Sequence, residues 1–269
     1  MSGPLVLVTN DDGVDAPGLR AVAEALSALG EVHVVAPDRE MSASSQALTM
    51  DDRVRAAQVG PRTYAVNGTP ADCVGMAIRK LLGSRPALLV SGINTGANLG
   101  EDVFYSGTVG GAREGSFYGV PSIAVSLAVS PANREAPDFS TAAQLAARLA
   151  GLVLERRLPA GTLLNVNVPP GRPTTAVITV QARQALSSAA GAAWDEARSW
   201  GLEADPWDRD ELSDIEAVRQ GLVSITPLHT DTTHHAALRT LQKWAAALRD
   251  GRDARILAPG PVPWYSSGS

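Results

Sequence analysis

Strand–helix–strand alternation, with helices that open at proline and stop at glycine, predicts an open, mostly parallel α/β sheet for this 269-residue chain. Hydrophobic residues make up 45% and aromatics only 4%, so Val, Leu, Ile and Ala must build the core, as suits a parallel sheet covered by helices. The polar residues collect just after the apolar runs, where such sheets bind their ligands. The length fits one large α/β domain, which buries roughly 75% of the surface of its unfolded chain and needs no staples.

Residues 5–9, LVLVT, are a short apolar run ending at the turn NDDG, the pattern of a buried strand. Pro17 opens a segment with Leu19, Val22, Ala23, Leu26 and Leu29 at helical spacing, and Gly30 stops it. The apolar run Val32–Val35 ends in APD and completes a βαβ unit, whose crossover should be right-handed. Tyr64–Val66 then leads into NGTPADC, where Thr69 and Asp72 match a capping box and Pro70 takes the first helical position. Val74, Ile78, Leu81 and Leu82 carry that helix to Gly83. A strand over Ala87–Val90 follows, then a long Gly/Asn loop and a helix from about Thr108. Residues 122–129 and 163–168 predict two further strands around an Ala/Leu helix near 140–155. No dependable period runs through 183–220. A last strand at 222–226 precedes a helix with Leu238, Leu241, Trp244, Ala245 and Leu248 on one stripe. The Pro/Gly/Ser-rich tail, 259–269, is expected to be disordered.

Net charge −5 and a pI near 5.4 argue against a nucleic-acid-tracking surface, which is usually basic. A small anionic substrate would then need a local positive centre, which a metal ion can supply. The single cysteine, Cys73, excludes an internal disulfide framework and argues against structural zinc. The opening MSGPLVLVTNDD has no basic n-region and its apolar run is too short for a signal peptide, and no run reaches a membrane span; a cytoplasmic location is the expectation.

The strand ends hold the candidate chemistry. Thr9, Asn10, Asp11 and Asp12 follow the first strand, and Asp38, Arg39, Ser42, Ser44 and Ser45 follow the second. Ser91, Gly92, Asn94, Asn98, Ser106 and Thr108 follow the strand ending at Val90. Asp11 and Asp12 are the anchor: two adjacent carboxylates repel, and a hard divalent cation relieves them. Carboxylate, hydroxyl and amide oxygens suit Mg²⁺ or Mn²⁺ rather than zinc. A lone DDG is more often a solvated turn; its place after the first strand, with matching loops elsewhere, favours the cation. The stretch 91–111 holds six glycines, with Asn94, Asn98 and several hydroxyls, ahead of a helix, a composition that suits a phosphate cradle. It is neither a P-loop nor a dinucleotide fingerprint, and no G-x-S-x-G elbow exists. Adjacent His234 and His235 lack the spacing of a zinc pair and are expected at the surface or in a cap. Cys73 is expected in the core, and Asp38 and Arg39 as a structural pair.

Four blocks together resemble the SurE family of survival-protein nucleotidases: VTNDDGVDAPGL (8–19), VVAPDREMSASSQALT (34–49), VNGTPADCV (66–74) and LVSGINTGANLGEDVFYSGTVGGAREG (89–115). NVNVP (165–169) and GLVSITPLHTD (221–231) are weaker echoes. The resemblance implies a Rossmann-like fold with a C-terminal arm and helix. Residues 1–258 would form one domain, with a core over about 4–182, an oligomerisation arm over about 183–220 and a strand and helix over about 221–250. It implies metal ligands at Asp11, Asp12, Ser42 and Asn94, with one Mg²⁺ or Mn²⁺ per subunit. Asn98, Ser106, Gly107 and Thr108 would lie near the phosphate, and the NGTP turn, with Asn67, Gly68 and Thr69, would line the site. The implied activity is hydrolysis of nucleoside 5′-monophosphates, with 3′-nucleotides and short polyphosphate as further substrates, by a homodimer or homotetramer. In the expected mechanism Asp11 is the general base, Asp12 mainly a ligand, and Asn98 and Ser106 hold the phosphoryl oxygens. Met41 stands where relatives often carry Arg, and Ala97 where they often carry Pro. Trp200-Gly201 and Ser213-Asp214 are what remains here of the family's Tyr-Trp stretch. The alternative is a non-catalytic nucleotide or metal sensor on the same scaffold.

Overall fold

The computed structural model describes residues 3–50, 54–129, 137–183 and 211–247. Its first strand, β1 (Leu5–Thr9), is followed by α1 (Pro17–Leu26), β2 (Glu31–Pro37), β3 (Ala56–Gly60), β4 (Thr63–Val66) and α2 (Pro70–Met76). A wide π-type turn, Ala77–Leu81, ends that helix; then come β5 (Leu88–Thr95), a 3₁₀ turn (Glu101–Phe104), α3 (Gly107–Phe117) and β6 (Ser122–Leu127). The described chain continues with α4 (Ser140–Arg156), β7 (Thr162–Val168), β8 (Ala176–Ile178), α5 (Asp214–Arg219), β9 (Val223–His229) and α6 (His235–Ala247). The expected disordered tail and most of 183–220 lie outside the described residues.

These strands form one nine-stranded sheet in the order β3-β4-β2-β1-β5-β6-β7-β9-β8. Pairing is parallel throughout except at β3–β4 and β7–β9, so the antiparallel strands fall outside a parallel centre. Alternation along β1 sends Val6 and Val8 to one face, against α1 and α4, and Leu7 to the other, against α2 and α3. Ala142, Ala146 and Ala150 give α4 a flat inner face against Ile123, Val125 and Val166. Cys73 packs in the opposite layer beside Val74 and Leu89, where burial pushes its thiol up. It behaves as the small core residue expected.

β3 and β8 were not visible in the sequence pattern. AAQVG is a half-exposed edge segment without alternation, and AVI is three residues long. α5 also escaped, because six residues are too few to show a helical period. The capping box is present as expected. The Thr69 hydroxyl accepts from Asp72 N at 3.1 Å, and the Asp72 carboxylate accepts from Thr69 N at 2.9 Å. Thr69→Ala should cost about 1 kcal/mol of stability. A melting curve should read that as a Tm about 2–4 °C lower; an unchanged Tm would show that the cap contributes nothing.

α6 belongs to a second unit that begins at Asp231. His234 Nδ1 accepts from Ala237 N at 3.1 Å, and His235 pairs with Asp231 at 2.7 Å, so both histidines do the local work expected of them. Leu238, Leu241 and Trp244 are exposed on this helix. Among the described residues no helix is long and apolar enough to cross a membrane.

Candidate active site at the sheet's switch point

From β1 the chain builds β2 and β4 on one side of the sheet, whereas β5, β6 and β7 extend it on the other. Strand order therefore reverses between β1 and β5, and an open α/β sheet forms its ligand crevice beyond the carboxyl ends at such a point. Asp11 and Asp12 leave β1 there. β5 runs on through Asn94 and Thr95, with its pairing to β6 shifting between Gly92 and Asn94.

Gly13 turns the chain at a positive φ of 101°, which lets two neighbouring carboxylates stay at one edge. Asn10 Nδ2 donates to Gly13 O at 2.9 Å, and Val14 N to Pro37 O at 2.8 Å, pinning the turn to the end of β2. Asp11 is 4% exposed. Its Oδ1 accepts from Thr108 Oγ1 at 2.5 Å, and its carbonyl accepts from Met41 N at 2.7 Å. Burial raises the Asp11 carboxyl above the ordinary range against the pull of the Thr108 hydroxyl. Asp12 Oδ2 accepts from Thr95 N at 3.3 Å. Burial, and then the charge of Asp11, push Asp12 up to about 6.

α3 comes close to the sheet through glycines at every fourth residue. A Cβ on Gly107 would lie 2.6 Å from Ser44 Oγ and 2.9 Å from Asp11 Oδ2; one on Gly111, 3.1 Å from Ser91 Oγ; one on Gly115, 2.6 Å from Ser122 Oγ. Ser106 caps the helix by accepting from Val109 N at 3.1 Å. The N–H of Thr108 points to Asp11. That of Gly107 has no partner among the described residues, and it faces an end of the helix that favours anions.

Asp11 and Asp12 have no cationic partner among the described residues, although one is buried and the other half-buried. Two desolvated carboxylates at one edge are the arrangement a hard cation relieves, and the neighbouring donors are oxygens. Asn94 spends its amide nitrogen on Gly96 O at 2.9 Å, which leaves its oxygen available. The Ser42 hydroxyl donates to Glu40 Oε1 at 2.7 Å and keeps its lone pairs. The donor set fits Mg²⁺ or Mn²⁺. No group of three or more His, Cys, Asp or Glu forms a metal cluster among the described residues, so any cation here relies on hydroxyl and amide oxygens as well.

The other candidates divide. The 42–49 segment reaches the turn before α3 and α3 itself: Ser45 N donates to Tyr105 O at 2.9 Å, Ser45 Oγ to Phe104 O at 2.7 Å, and Gln46 Nε2 to Glu114 at 2.7 Å. The NGTP turn is tied instead to 47–55, with Thr69 Oγ1 donating to Ala47 O at 2.6 Å and Asn67 Oδ1 accepting from Arg55 N at 2.7 Å. Asn98 turns toward β6 and β7. Its Nδ2 donates to Ser126 Oγ at 2.7 Å, its N–H goes to Asn167 Oδ1 at 2.8 Å, and its carbonyl accepts from Asn165 and Asn167. Asp38 and Arg39 pair on the surface at 2.8 Å. The anchoring of Asn98 by Asn165 and Asn167 was missed in the sequence, though two asparagines at i and i+2 in a buried strand were a readable signal. In the sequence Asp214 reads only as a remnant of the family's Tyr-Trp stretch, whereas in the fold its carboxylate accepts from Gly100 N.

Fold and edge together define an open α/β protein with a carboxylate-centred, oxygen-donor site at its switch point. Residues 6–189 match the family model for survival protein SurE, and the chain belongs to the SurE family. It is 48% identical over 246 residues to the 5′-nucleotidase SurE of Geobacter metallireducens, covering 89% of this chain and 96% of that one. It is 46% identical over 263 residues to the 5′-nucleotidase SurE of Moorella thermoacetica, covering 93% and 100%. The crystal structure of the SurE protein from Aquifex aeolicus matches with a TM-score of 0.77 at 36% identity, covering 90% of this chain and all of that one.

Proposed function

We propose that the chain is a 5′-nucleotidase that hydrolyses nucleoside 5′-monophosphates with a divalent cation held by Asp11, Asp12, Ser42 and Asn94. The observation that supports this reading most is the pair of desolvated carboxylates at the switch point, with no cationic side chain beside them among the described residues and Asp11 directly against the N-terminus of α3. When bound, Mg²⁺ or Mn²⁺ would neutralise phosphoryl charge and lower the pKa of a water toward about 7. Asp11 takes the proton of the attacking water and returns it to the departing nucleoside oxygen as the ester P–O bond breaks: Thr108 fixes its Oδ1, and Oδ2 lies toward Gly107. The Ser106 hydroxyl, already accepting from Val109, keeps its own proton to donate to a phosphoryl oxygen. The N–H of Gly107 and the remaining amide hydrogen of Asn98 serve the other oxygens. In this reading Asn67, Gly68 and Thr69 would line the nucleoside side. Assembly as a homodimer or homotetramer belongs to the same reading, supported by the exposed Leu238, Leu241 and Trp244 on α6.

The test is phosphate release from a panel of 5′- and 3′-nucleoside monophosphates, a short polyphosphate and an aryl phosphate, with Mg²⁺, Mn²⁺ or chelator. Release from 5′-monophosphates that stops with chelator and returns with metal is the expected result. Turnover undiminished by chelator, or none with any metal, would reject the reading.

The raised Asp12 carboxyl has a stability consequence. The unfolded chain releases this proton near the ordinary 3.8 and the folded chain only near 6, so folded protein binds more protons between those values. Stability of the metal-free protein therefore falls as pH rises from about 4 to about 6 and stays lower above that. Asp12→Asn should raise the metal-free Tm at pH 7.5, by about 2–4 °C for each kcal/mol relieved, and leave it unchanged at pH 4. Equal shifts at both pH values would show that the carboxylate carries no such cost.

A further inference from the structure

We infer that Asp214 and Gln181 are positioning residues, which through Gly100 hold the Gly/Asn loop and the first turn of α3 in register with Asp11. Gly100 lies midway between Asn94, at the end of β5, and Ser106, the cap of α3. It adopts φ 54° and ψ −130°, a conformation that favours glycine, and both its backbone groups are captured by side chains. Asp214 Oδ2 accepts from Gly100 N at 2.9 Å, and Gln181 Nε2 donates to Gly100 O at 2.9 Å.

The other Asp214 oxygen, Oδ1, accepts from Ala182 N at 3.0 Å and from Ile215 N at 2.8 Å. The carboxylate is thus a junction between the loop, the strand-like segment after β8 and the start of α5. The side chain is fully buried, with no cationic side chain paired to it among the described residues. Burying a charge is expensive unless it is hydrogen-bonded, and an apolar side chain would fill the same space at lower cost. What the carboxylate adds is direction, because its acceptors fix where the Gly100 N–H must lie.

Little slack separates Gly100 from the reacting groups. Asp102 N donates to Leu99 O, and Tyr105 N and Ser106 N both donate to Asp102 O, so the 3₁₀ turn passes any displacement of Gly100 on to the helix cap. On the other side, Asn98 is fixed by Asn165 and Asn167. No other described side chain hydrogen-bonds the backbone of Gly100. The kinetic part of this inference rests on the phosphatase reading; the positional part does not.

The experiment compares Asp214→Asn and Gln181→Met with Val153→Ala, a core truncation in α4. Asp214→Asn sets an amide NH₂ against backbone donors, whereas Gln181→Met removes only the tether to the Gly100 carbonyl and leaves α5 its contacts. Amide hydrogen exchange is followed across 96–108, and kcat and KM are measured with saturating Mn²⁺ well below each Tm. Both tether variants should exchange faster across 96–108 and lose about 10- to 100-fold in kcat with KM within about threefold, since a misplacement near 1 Å costs that order. Val153→Ala should lose stability but keep its kcat and its exchange pattern there. Exchange across 96–108 no faster than in Val153→Ala would overturn the inference, and so would faster exchange with an unchanged kcat. A wild-type protein that released no phosphate would sink the functional reading alone, and exchange would still decide whether the two residues hold the loop.

Discussion

Asp11→Asn should lose about 10³-fold or more of metal-dependent phosphate release while the protein stays folded. The substitution keeps the shape of the side chain and an oxygen for the Thr108 hydroxyl to reach, so the contact that seats α3 can survive. What disappears is the negative charge that, on the proposed mechanism, both holds a divalent cation and takes a proton from water. Removing it also removes the cost of keeping that charge away from solvent, because burial raises the Asp11 carboxyl in the folded chain. The folded-state shift is upward, so the ionised group opposes folding at neutral pH and its neutral replacement favours it. The metal-free variant should therefore melt no lower than the wild type, and added Mn²⁺ should raise its Tm less. Activity near wild type in Asp11→Asn would remove this residue from the reaction. A collapsed Tm would mean that the carboxylate is there for the fold.

Gly107→Ala should lower kcat by about 10²-fold with a far smaller effect on the stability of the protein, since a shift of about 1 Å at the reacting groups is enough to cost that much. The new methyl would meet Ser44 Oγ at 2.6 Å, Asp11 Cβ at 2.8 Å and Asp11 Oδ2 at 2.9 Å. None of these has open space to retreat into, because the Ser44 hydroxyl is buried and Asp11 is held by Thr108. Either the helix cap or the carboxylate must yield. Overpacking of this kind costs about 1–3 kcal/mol, and the alanine recovers part of it through helix propensity. Steady-state kinetics beside a melting curve would show the effect. A kcat within threefold of wild type would mean that the cap and Asp11 need not meet so closely.

Most of the parallel centre was legible in the sequence, because its strands are buried on both faces and read as continuous apolar runs: LVLVT, SIAVSL, LLNVNV. The edge strands were not, since AAQVG and AVI carry no such run and are defined by their neighbours. The candidate edge was legible to the extent that topology makes strand ends converge: Asp11 and Asp12 follow β1, and the fold sets them against Thr108 and Thr95. The direction a side chain takes was hidden. Asn98 reads as an anion donor in a Gly/Asn loop, yet one amide hydrogen, its backbone N–H and its carbonyl are committed to Ser126, Asn165 and Asn167. Asp214 was hidden for another reason. It lies 114 residues from Gly100, in a region without a period, and only the folded chain joins them.

The spacing of Gly107, Gly111 and Gly115 leaves α3 without freedom on its inner side. A methyl group there would sit 2.6 Å from a hydroxyl oxygen at Gly107 and at Gly115 and 3.1 Å from one at Gly111, so that flank of the helix has little room to vary. The two borders beside the helix, 42–50 and 94–106, carry exposed positions such as Leu48, Met50, Phe104 and Tyr105, which can change while the seat of the helix stays fixed.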